Sequence, residues 1–241
     1  MSQRSAAIHF GLGLTAALGF VLGATAASAD VDQGSIARGA KLYDKWYKVV
    51  KAEAPAESHP LYPAANEKYA DNAGANWRCK ECHGWDGLGA DGAYSSGSHA
   101  TGIKGINGMA GADPAAIVAV LVSPEHGYGD KLSEENLADL ANFVAFGQED
   151  YSVYIDAATK EVKGDAVAGG QVYGTVCTNC HGADGKEPKG MPPLGSLMGN
   201  PWEVMHKVLN GQPAETMPGL RAIDHQVSAD VLAYIKTLPT E

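Results

Sequence analysis

Two short segments, Cys79-Lys80-Glu81-Cys82-His83 and Cys177-Thr178-Asn179-Cys180-His181, share the pattern C-x-x-C-H. In this pattern the two thiols can each add across a vinyl group of one haem, and the adjacent His is held beneath the iron as an axial ligand. The two copies use all 4 cysteines of the 241 residues. We therefore predict two covalently bound haem c groups, attached through Cys79, Cys82, Cys177 and Cys180, with His83 and His181 as iron ligands.

Other uses of these cysteines fit the pattern less well. Disulfides are one alternative, because they are the default for paired cysteines in an oxidising compartment. A zinc site needs Cys and His side chains that converge on one metal, whereas here each Cys pair has its own adjacent His. A thioredoxin-like redox motif needs neither that His nor a second copy. The net charge of −10 also argues against a nucleic-acid-binding protein, which normally presents a basic face.

Residues 1–29 predict a secretory signal peptide. Arg4 is their only charged side chain, residues 8–22 are predominantly apolar, and Ala27-Ser28-Ala29 is the kind of end that a signal peptidase accepts. An uncleaved anchor is the alternative, since residues 5–29 are just long enough to cross a bilayer. Cleavage near Ala29 would leave a periplasmic protein with no membrane span.

The surroundings of the two motifs repeat. His83-Gly84-Trp85-Asp86-Gly87 after the first motif corresponds to His181-Gly182-Ala183-Asp184-Gly185 after the second. A segment with Gly and an aromatic residue precedes each motif, at 38–43 and at 169–173. The chain therefore predicts two copies of one helical unit.

The helix signals repeat as well. Asp113-Pro114 and Asn200-Pro201 each predict a helix with an Asx N-cap and Pro at its first position. Each copy closes with a predicted Ser-capped helix, from Ser133 to about Phe146 and from Ser228 to about Leu238.

With these features the chain resembles the class I c-type cytochromes in a tandem diheme arrangement, over essentially all of residues 30–241. The resemblance implies an all-α fold of two cytochrome c-like helical domains in tandem, each wrapping one covalently attached haem. The domains would span residues 30–149 and 165–241, and a linker with a short hairpin would span residues 150–164.

The resemblance also implies that the first and last helices of each domain cross near Gly and aromatic positions. These would be Gly39 and Tyr43 against Phe143 in the first domain. In the second domain they would be Gly170 and Tyr173 against Tyr234. Simple core packing of the aromatic residues is compatible with the same geometry.

The remaining axial ligand of the second haem is predicted to be Met217. This residue lies in a loop before the closing helix, where the family that the chain resembles places its axial Met. A thioether binds ferrous iron well and raises the reduction potential. Met191, Met198 and Met205 are less favoured, because an unassigned Met is more often part of a core.

The first domain differs at this position. His126 lies as far before Phe143 as Met217 lies before Tyr234, so an imidazole replaces the thioether. Coordination by two histidines would give the first haem the lower potential. His126 is the preferred ligand and Met109 the alternative, with His99 and His59 as further candidates. For His206 and His225, surface or capping roles are expected.

The first domain also carries an insertion at about residues 44–76. Insertions in a scaffold often make partner or ligand contacts, and a simple lid over the first haem is the other interpretation. The sequence leaves both open.

These features favour a periplasmic diheme cytochrome that carries single electrons between redox partners, with no catalytic residues of its own. Its acidic surface would steer it toward a basic docking patch on a partner protein. One alternative is a haem-bearing subunit of a larger periplasmic dehydrogenase. Another is a diheme oxidoreductase, similar to a peroxidase or a thiosulfate dehydrogenase, with an exchangeable distal ligand at the first haem.

Overall fold

Helices account for the regular structure of residues 32–241, the part of the chain that the computed structural model describes. The predicted signal peptide lies outside these residues. The α-helices in this range are α1 (Gln33–Val49), α2 (Glu67–Ala70), α3 (Ala73–Asn76), α4 (Cys79–His83), α5 (Pro114–Leu121), α6 (Glu134–Phe146), α7 (Ala166–Val172), α8 (Thr178–His181), α9 (Leu194–Leu197), α10 (Pro201–Asn210) and α11 (His225–Ile235). Within this range there are isolated β-bridges but no strands, so the predicted all-α fold is confirmed. None of these helices is long and apolar enough to cross a membrane.

Side-chain caps explain where several helices begin. The carboxylate of Asp32 accepts hydrogen bonds from two backbone N–H groups of the first turn of α1. Asp113 caps α5, and Ser133 caps α6 by accepting from Asn136 N at 3.2 Å. Each such bond satisfies a donor that the first helical turn leaves free. The predicted starts of α5, α6 and α10 are confirmed, but the Asn200 side chain makes no capping hydrogen bond at the start of α10.

The predicted cap of the last helix is wrong. Helix α11 begins at His225, and Asp224 caps it by accepting from Gln226 N at 2.9 Å. Ser228 lies inside the helix and is fully buried. Asp and Ser are about equally good N-caps, so capping strength does not distinguish Asp224 from Ser228, which lie four residues apart. The earlier cap adds a helical turn that brings Ala229 into the core, and the Ser228 hydroxyl is buried beside it without a hydrogen-bond partner among the described residues.

Two sets of helices pack around separate cores. In the first half (residues 32–149), α6 contacts both α1 and α5, and in the second half (residues 150–241), α11 contacts both α7 and α10. The predicted aromatic contacts are confirmed, since the ring centroids of Tyr43 and Phe143 are 5.2 Å apart and those of Tyr173 and Tyr234 are 5.1 Å apart.

In each half the first and last helices cross at a glycine, because their backbones lie too close together for a side chain at that position. A Cβ atom on Gly39 would lie 2.0 Å from the Asp139 carbonyl oxygen. In the second half, Gly169 makes the matching contact, with a Cβ position 1.9 Å from the Asp230 carbonyl oxygen. The predicted Gly170 lies against the Tyr234 ring, at 3.0 Å from its Cβ position. The sequence analysis therefore identified the crossing but missed its closest glycine.

The segment predicted as a linker is only partly a hairpin. Tyr151–Val153 is a short 3-10 helix rather than a strand. A single antiparallel bridge joins Ile155 to Val162, supported by a 2.8 Å hydrogen bond from Asp156 N to Glu161 O. The domain boundaries themselves stay a prediction.

The two halves meet across a buried interface that contains His206. Its Nε2 lies 3.0 Å from the Ala40 carbonyl oxygen of α1, and its ring packs beside Tyr43, Trp85 and Phe143. Only 1% of His206 is exposed. The expected surface role of His206 is therefore wrong, because α10 presents this side chain to α1 rather than to solvent.

The burial of His206 predicts an acid-labile interface. Burial lowers the pKa of His206 to about 4, below the value of about 6.5 in an unfolded chain. As the pH falls, the unfolded chain binds the proton first, so stability that is fully present above about pH 6.5 is lost progressively toward pH 4. We expect this group to lower the free energy of unfolding by about 2 kcal/mol between pH 7 and pH 5.

The measurement is denaturant unfolding of the holoprotein at both pH values, for the wild type and for His206→Gln. The amide has no proton to gain, so the variant should lose less stability than the wild type over this interval. An identical loss in both proteins would contradict the assignment to His206.

Candidate haem-binding sites

The first C-x-x-C-H motif forms the short helix α4 at the edge of a cavity of about 330 Å³. Cys79, Cys82 and His83 all line this space, which we call the first cavity. The rest of its wall is largely apolar and comes from the core of the first half and from loops of that half. It includes Ile106, Ile117, Leu121, Leu140 and Val144. A cavity that brings two thiols, an imidazole and an apolar wall together fits a covalently attached haem.

Burial keeps the thiols and the imidazoles that line the first cavity uncharged at neutral pH. Burial raises the pKa of Cys79 to about 11 and that of Cys82 to about 12, so both thiols are protonated at neutral pH. Burial also lowers the pKa of His83 and of His126. Both imidazoles are therefore neutral at pH 7 and keep a lone pair for a metal ion.

A backbone carbonyl orients His83. Its Nδ1 lies 2.8 Å from the carbonyl oxygen of Lys104, which fixes Nδ1 as the protonated nitrogen and leaves Nε2 free to bind iron. The segment that carries Lys104 is itself held close to the segment after α4. A Cβ atom on Gly89 would lie 2.4 Å from the Ile103 carbonyl oxygen, so this approach requires glycine.

The second motif has the same setting. His181 Nδ1 lies 3.3 Å from the carbonyl oxygen of Glu187, as His83 Nδ1 lies near that of Lys104. The glycine after each motif has a positive φ, 79° at Gly84 and 72° at Gly182. Each of these glycines accepts a hydrogen bond from a tyrosine in or directly after the first α-helix of its half.

Those two tyrosines complete the match. The Tyr43 hydroxyl donates to Gly84 O at 2.6 Å, and the Tyr173 hydroxyl donates to Gly182 O at 2.8 Å. Because the same side-chain type makes the same bond in each half, the repeat seen in the sequence is also a repeat of tertiary contacts.

The second site is more open than the first. Cys177 is half-buried against the core of the second half, and Cys180 is exposed. Met217 is partly buried against the same core, in a loop that two backbone hydrogen bonds of 2.9 Å fasten to the end of α10. Met205 is fully buried inside α10 and belongs to the core. Met217 as an iron ligand stays a prediction.

Of the four candidates for the distal ligand of the predicted first haem, three line the first cavity and one lies outside it. His126 and Met109 both line the first cavity, and among the described residues the His126 imidazole has no hydrogen-bond partner. His59 also lines the cavity, but both of its ring nitrogens make hydrogen bonds. His99 lies outside the lining, stacked between two tyrosines, with Nδ1 2.7 Å from a carboxylate oxygen of Glu81.

The four candidate ligands differ in whether they have a nitrogen or sulfur lone pair that is not already in a hydrogen bond. Coordination requires a nitrogen or sulfur that is not already engaged, which favours His126 and Met109 over His59 and His99. His126 as the ligand stays a prediction. His225 lies at the start of α11, with Nδ1 2.9 Å from a Glu149 carboxylate oxygen.

The sequence analysis missed Tyr128, a buried residue of the first cavity. Its hydroxyl donates to the Trp77 carbonyl oxygen at 2.9 Å and lies 4.0 Å from Cys79 Sγ. Its position two residues after His126 was the available signal, since a loop that supplies a ligand also supplies neighbouring wall residues.

The insertion at 44–76 forms part of the wall of the first cavity. His59, Leu61 and Asn76 line it. The insertion is fastened to the segment just before α4, because Trp77 Nε1 donates to Glu57 O at 2.8 Å, and within the insertion His59 N donates to Asn76 Oδ1 at 3.0 Å. These contacts favour the interpretation of the insertion as a lid.

Comparison with known proteins gives one family match. Residues 164–235 match the family described as cytochrome c oxidase, cbb3-type, subunit III. The match supports a c-type cytochrome. A domain of this kind binds haem c covalently, and it contains Cys177, Cys180 and His181. A second haem, in the first half, is a prediction from the sequence repeat.

Other comparisons add little. No curated protein gives a significant match. Among solved structures, the chain is similar to a chain of the reducing HAO-like protein complex of Kuenenia stuttgartiensis, with 15% sequence identity and a TM-score of 0.26. The similarity covers 76% of this chain and 97% of that chain.

Proposed function

We propose that this protein is an exported diheme c-type cytochrome that carries single electrons between redox partners in the periplasm. One haem would be attached at Cys79 and Cys82, with His83 and His126 as axial ligands. The other would be attached at Cys177 and Cys180, with His181 and Met217 as axial ligands. When bound, each haem supplies an iron that can accept and release one electron.

The observation that carries the proposal is the matched setting of His83 and His181. Each imidazole has Nδ1 next to a backbone carbonyl, and each motif is followed by a positive-φ glycine that accepts a tyrosine hydroxyl. A hydrogen bond from Nδ1 to a backbone carbonyl orients an axial His and sets its tautomer. Finding this setting twice, each time beside a complete C-x-x-C-H motif, supports one haem in each half.

The axial ligands that the chain supplies would give the two haems different reduction potentials. A neutral imidazole from His126 and a thioether from Met217 differ in softness, so the first haem would have the lower potential and the second the higher. Electrons would then enter at the first haem and leave from the second. The net charge of −10 would attract a partner with a basic patch, and its influence would weaken with added salt.

Haem content tests the proposal directly. The protein, produced with a c-type cytochrome maturation system, should carry two covalent haems by intact mass and by absorbance of the denatured pigment. Cys79→Ser/Cys82→Ser should lose one haem, and Cys177→Ser/Cys180→Ser should lose the other. Each variant serves as the control for the other, because each keeps an intact motif.

Two results would overturn the proposal. One is a single haem in the wild type. The other is rapid binding of carbon monoxide by either reduced haem of the wild type, because a carrier with two axial ligands per iron offers no open position. Such reactivity would instead favour a diheme oxidoreductase.

A further inference from the structure

The insertion reaches the backbone of His126 through a single buried side chain, that of His59. His59 Nε2 lies 3.2 Å from the carbonyl oxygen of His126, and only 6% of His59 is exposed. The other ring nitrogen, Nδ1, accepts a hydrogen bond from Leu61 N at 3.2 Å. Because Nδ1 accepts, the ring proton lies on Nε2, which therefore donates to His126 O.

The His59 ring is held in place on several sides. It packs edge-on against Trp77, with ring centroids 4.4 Å apart. Its backbone N–H donates to Asn76 Oδ1, whose amide nitrogen donates in turn to the carbonyl oxygens of Tyr69 and Ala70 at 2.9 and 3.1 Å. His59 is therefore a rigid donor directed at the loop that carries His126.

That loop has few other polar anchors. His126 N donates to Ser123 Oγ at 3.4 Å, a long hydrogen bond, and Gly127 N donates to Ser123 O at 2.8 Å. The next anchor along the chain is Tyr128. A loop held so lightly would let its imidazole leave a metal ion unless a further contact restrained it.

We propose that His59 is a positioning residue, which keeps His126 on the first haem iron by holding the His126 carbonyl oxygen. This inference rests on the proposed ligation by His126. It assigns a role to the insertion: the segment restrains the distal ligand and does more than cover the haem. The loop of Met217 in the second half is fastened instead by its own backbone bonds to α10.

The test is the rate at which the reduced holoprotein binds carbon monoxide at the first haem. That rate follows the fraction of molecules in which His126 has left the iron. His59→Phe keeps an aromatic ring beside Trp77 and removes both hydrogen bonds, and we expect it to bind carbon monoxide about tenfold faster than the wild type. His59→Leu, which also lacks both bonds, should behave in the same way and replaces His59→Phe if that variant fails to fold.

Two further variants separate positioning from general loosening. His59→Gln has an amide that can both accept and donate, and it should restore a rate close to that of the wild type. Asn66→Ala removes the hydrogen bonds from the insertion to Ser98 O and Ala100 O, at 3.0 and 3.1 Å, neither of which involves the loop of His126. It should leave the rate unchanged.

The outcomes distinguish the two levels of the proposal. If His126→Ala opens the first haem but His59→Phe binds carbon monoxide at the wild-type rate, or no faster than Asn66→Ala, the positioning role is overturned and the ligand stands. If His126→Ala leaves the first haem closed to carbon monoxide, the ligation itself is overturned, and the role of His59 with it.

Discussion

Replacing His126 with Ala is expected to convert one of two haems from low spin to high spin and to open it to external ligands. The methyl group cannot coordinate iron, and the truncation would free the position of the His126 imidazole, which lines the first cavity, for a small ligand. The other haem should keep its spectrum and its potential, since Met217 lies in the other half of the chain. Absorption spectra and a redox titration, with and without carbon monoxide, measure both haems in one sample.

Two matched variants make this prediction specific. Met217→Ala should open the second haem and leave the first unchanged. Met109→Ala tests the rival, because Met109 also lines the first cavity. It should leave both haems low-spin. If Met109→Ala opens the first haem and His126→Ala does not, the thioether is the ligand and the expected order of the two potentials no longer holds.

The local part of the site could be predicted from the sequence. A C-x-x-C-H motif is contiguous, so spacing alone predicts the attachment cysteines and the iron-ligating His. The structure places Cys79, Cys82 and His83 at one cavity, as expected for this motif. The starts of α5, α6 and α10 were predictable for the same reason, since a cap and a Pro act within one helical turn.

The long-range part could not be predicted. The partner of His83 is the carbonyl oxygen of Lys104, and the partner of His206 is that of Ala40 in the other half. Any residue can offer a carbonyl, so the sequence carries no signal for such a bond. The fully buried Ser228 shows the same limit, because the two cap candidates, Asp224 and Ser228, lie four residues apart and tertiary packing decides between them.

The sequence repeat predicted one long-range feature, the crossing of the first and last helices in each half. It predicted the contact of Tyr173 with Tyr234, but it assigned the crossing glycine to Gly170. The tyrosines show the correct register, because Gly39 precedes Tyr43 by as many positions as Gly169 precedes Tyr173. Because Gly169 and Gly170 are adjacent, the sequence pattern alone did not show that Gly169 makes the closest backbone contact.

That contact leads to the second large effect: Gly169→Ala should lower the free energy of unfolding by more than about 3 kcal/mol. Its Cβ would lie 1.9 Å from the Asp230 carbonyl oxygen and 2.8 Å from Val231 N, both backbone atoms of α11. Backbone cannot rotate away as a side chain can, so α7 and α11 would have to separate, which would uncover Val231 and Leu232, now fully buried. Denaturant unfolding of the holoprotein, followed by helix content, measures the loss.

Two glycines provide controls that differ only in their surroundings. A Cβ on Gly174, in the π-helical turn after α7, meets nothing within 4 Å, so Gly174→Ala should change the free energy of unfolding by less than about 1 kcal/mol. Gly39→Ala should be as damaging as Gly169→Ala, because its Cβ would lie 2.0 Å from the Asp139 carbonyl oxygen. Equal stability of the Gly169 and Gly174 variants would mean that α7 and α11 do not cross in backbone contact, and the match between the two halves would then fail at its tightest point.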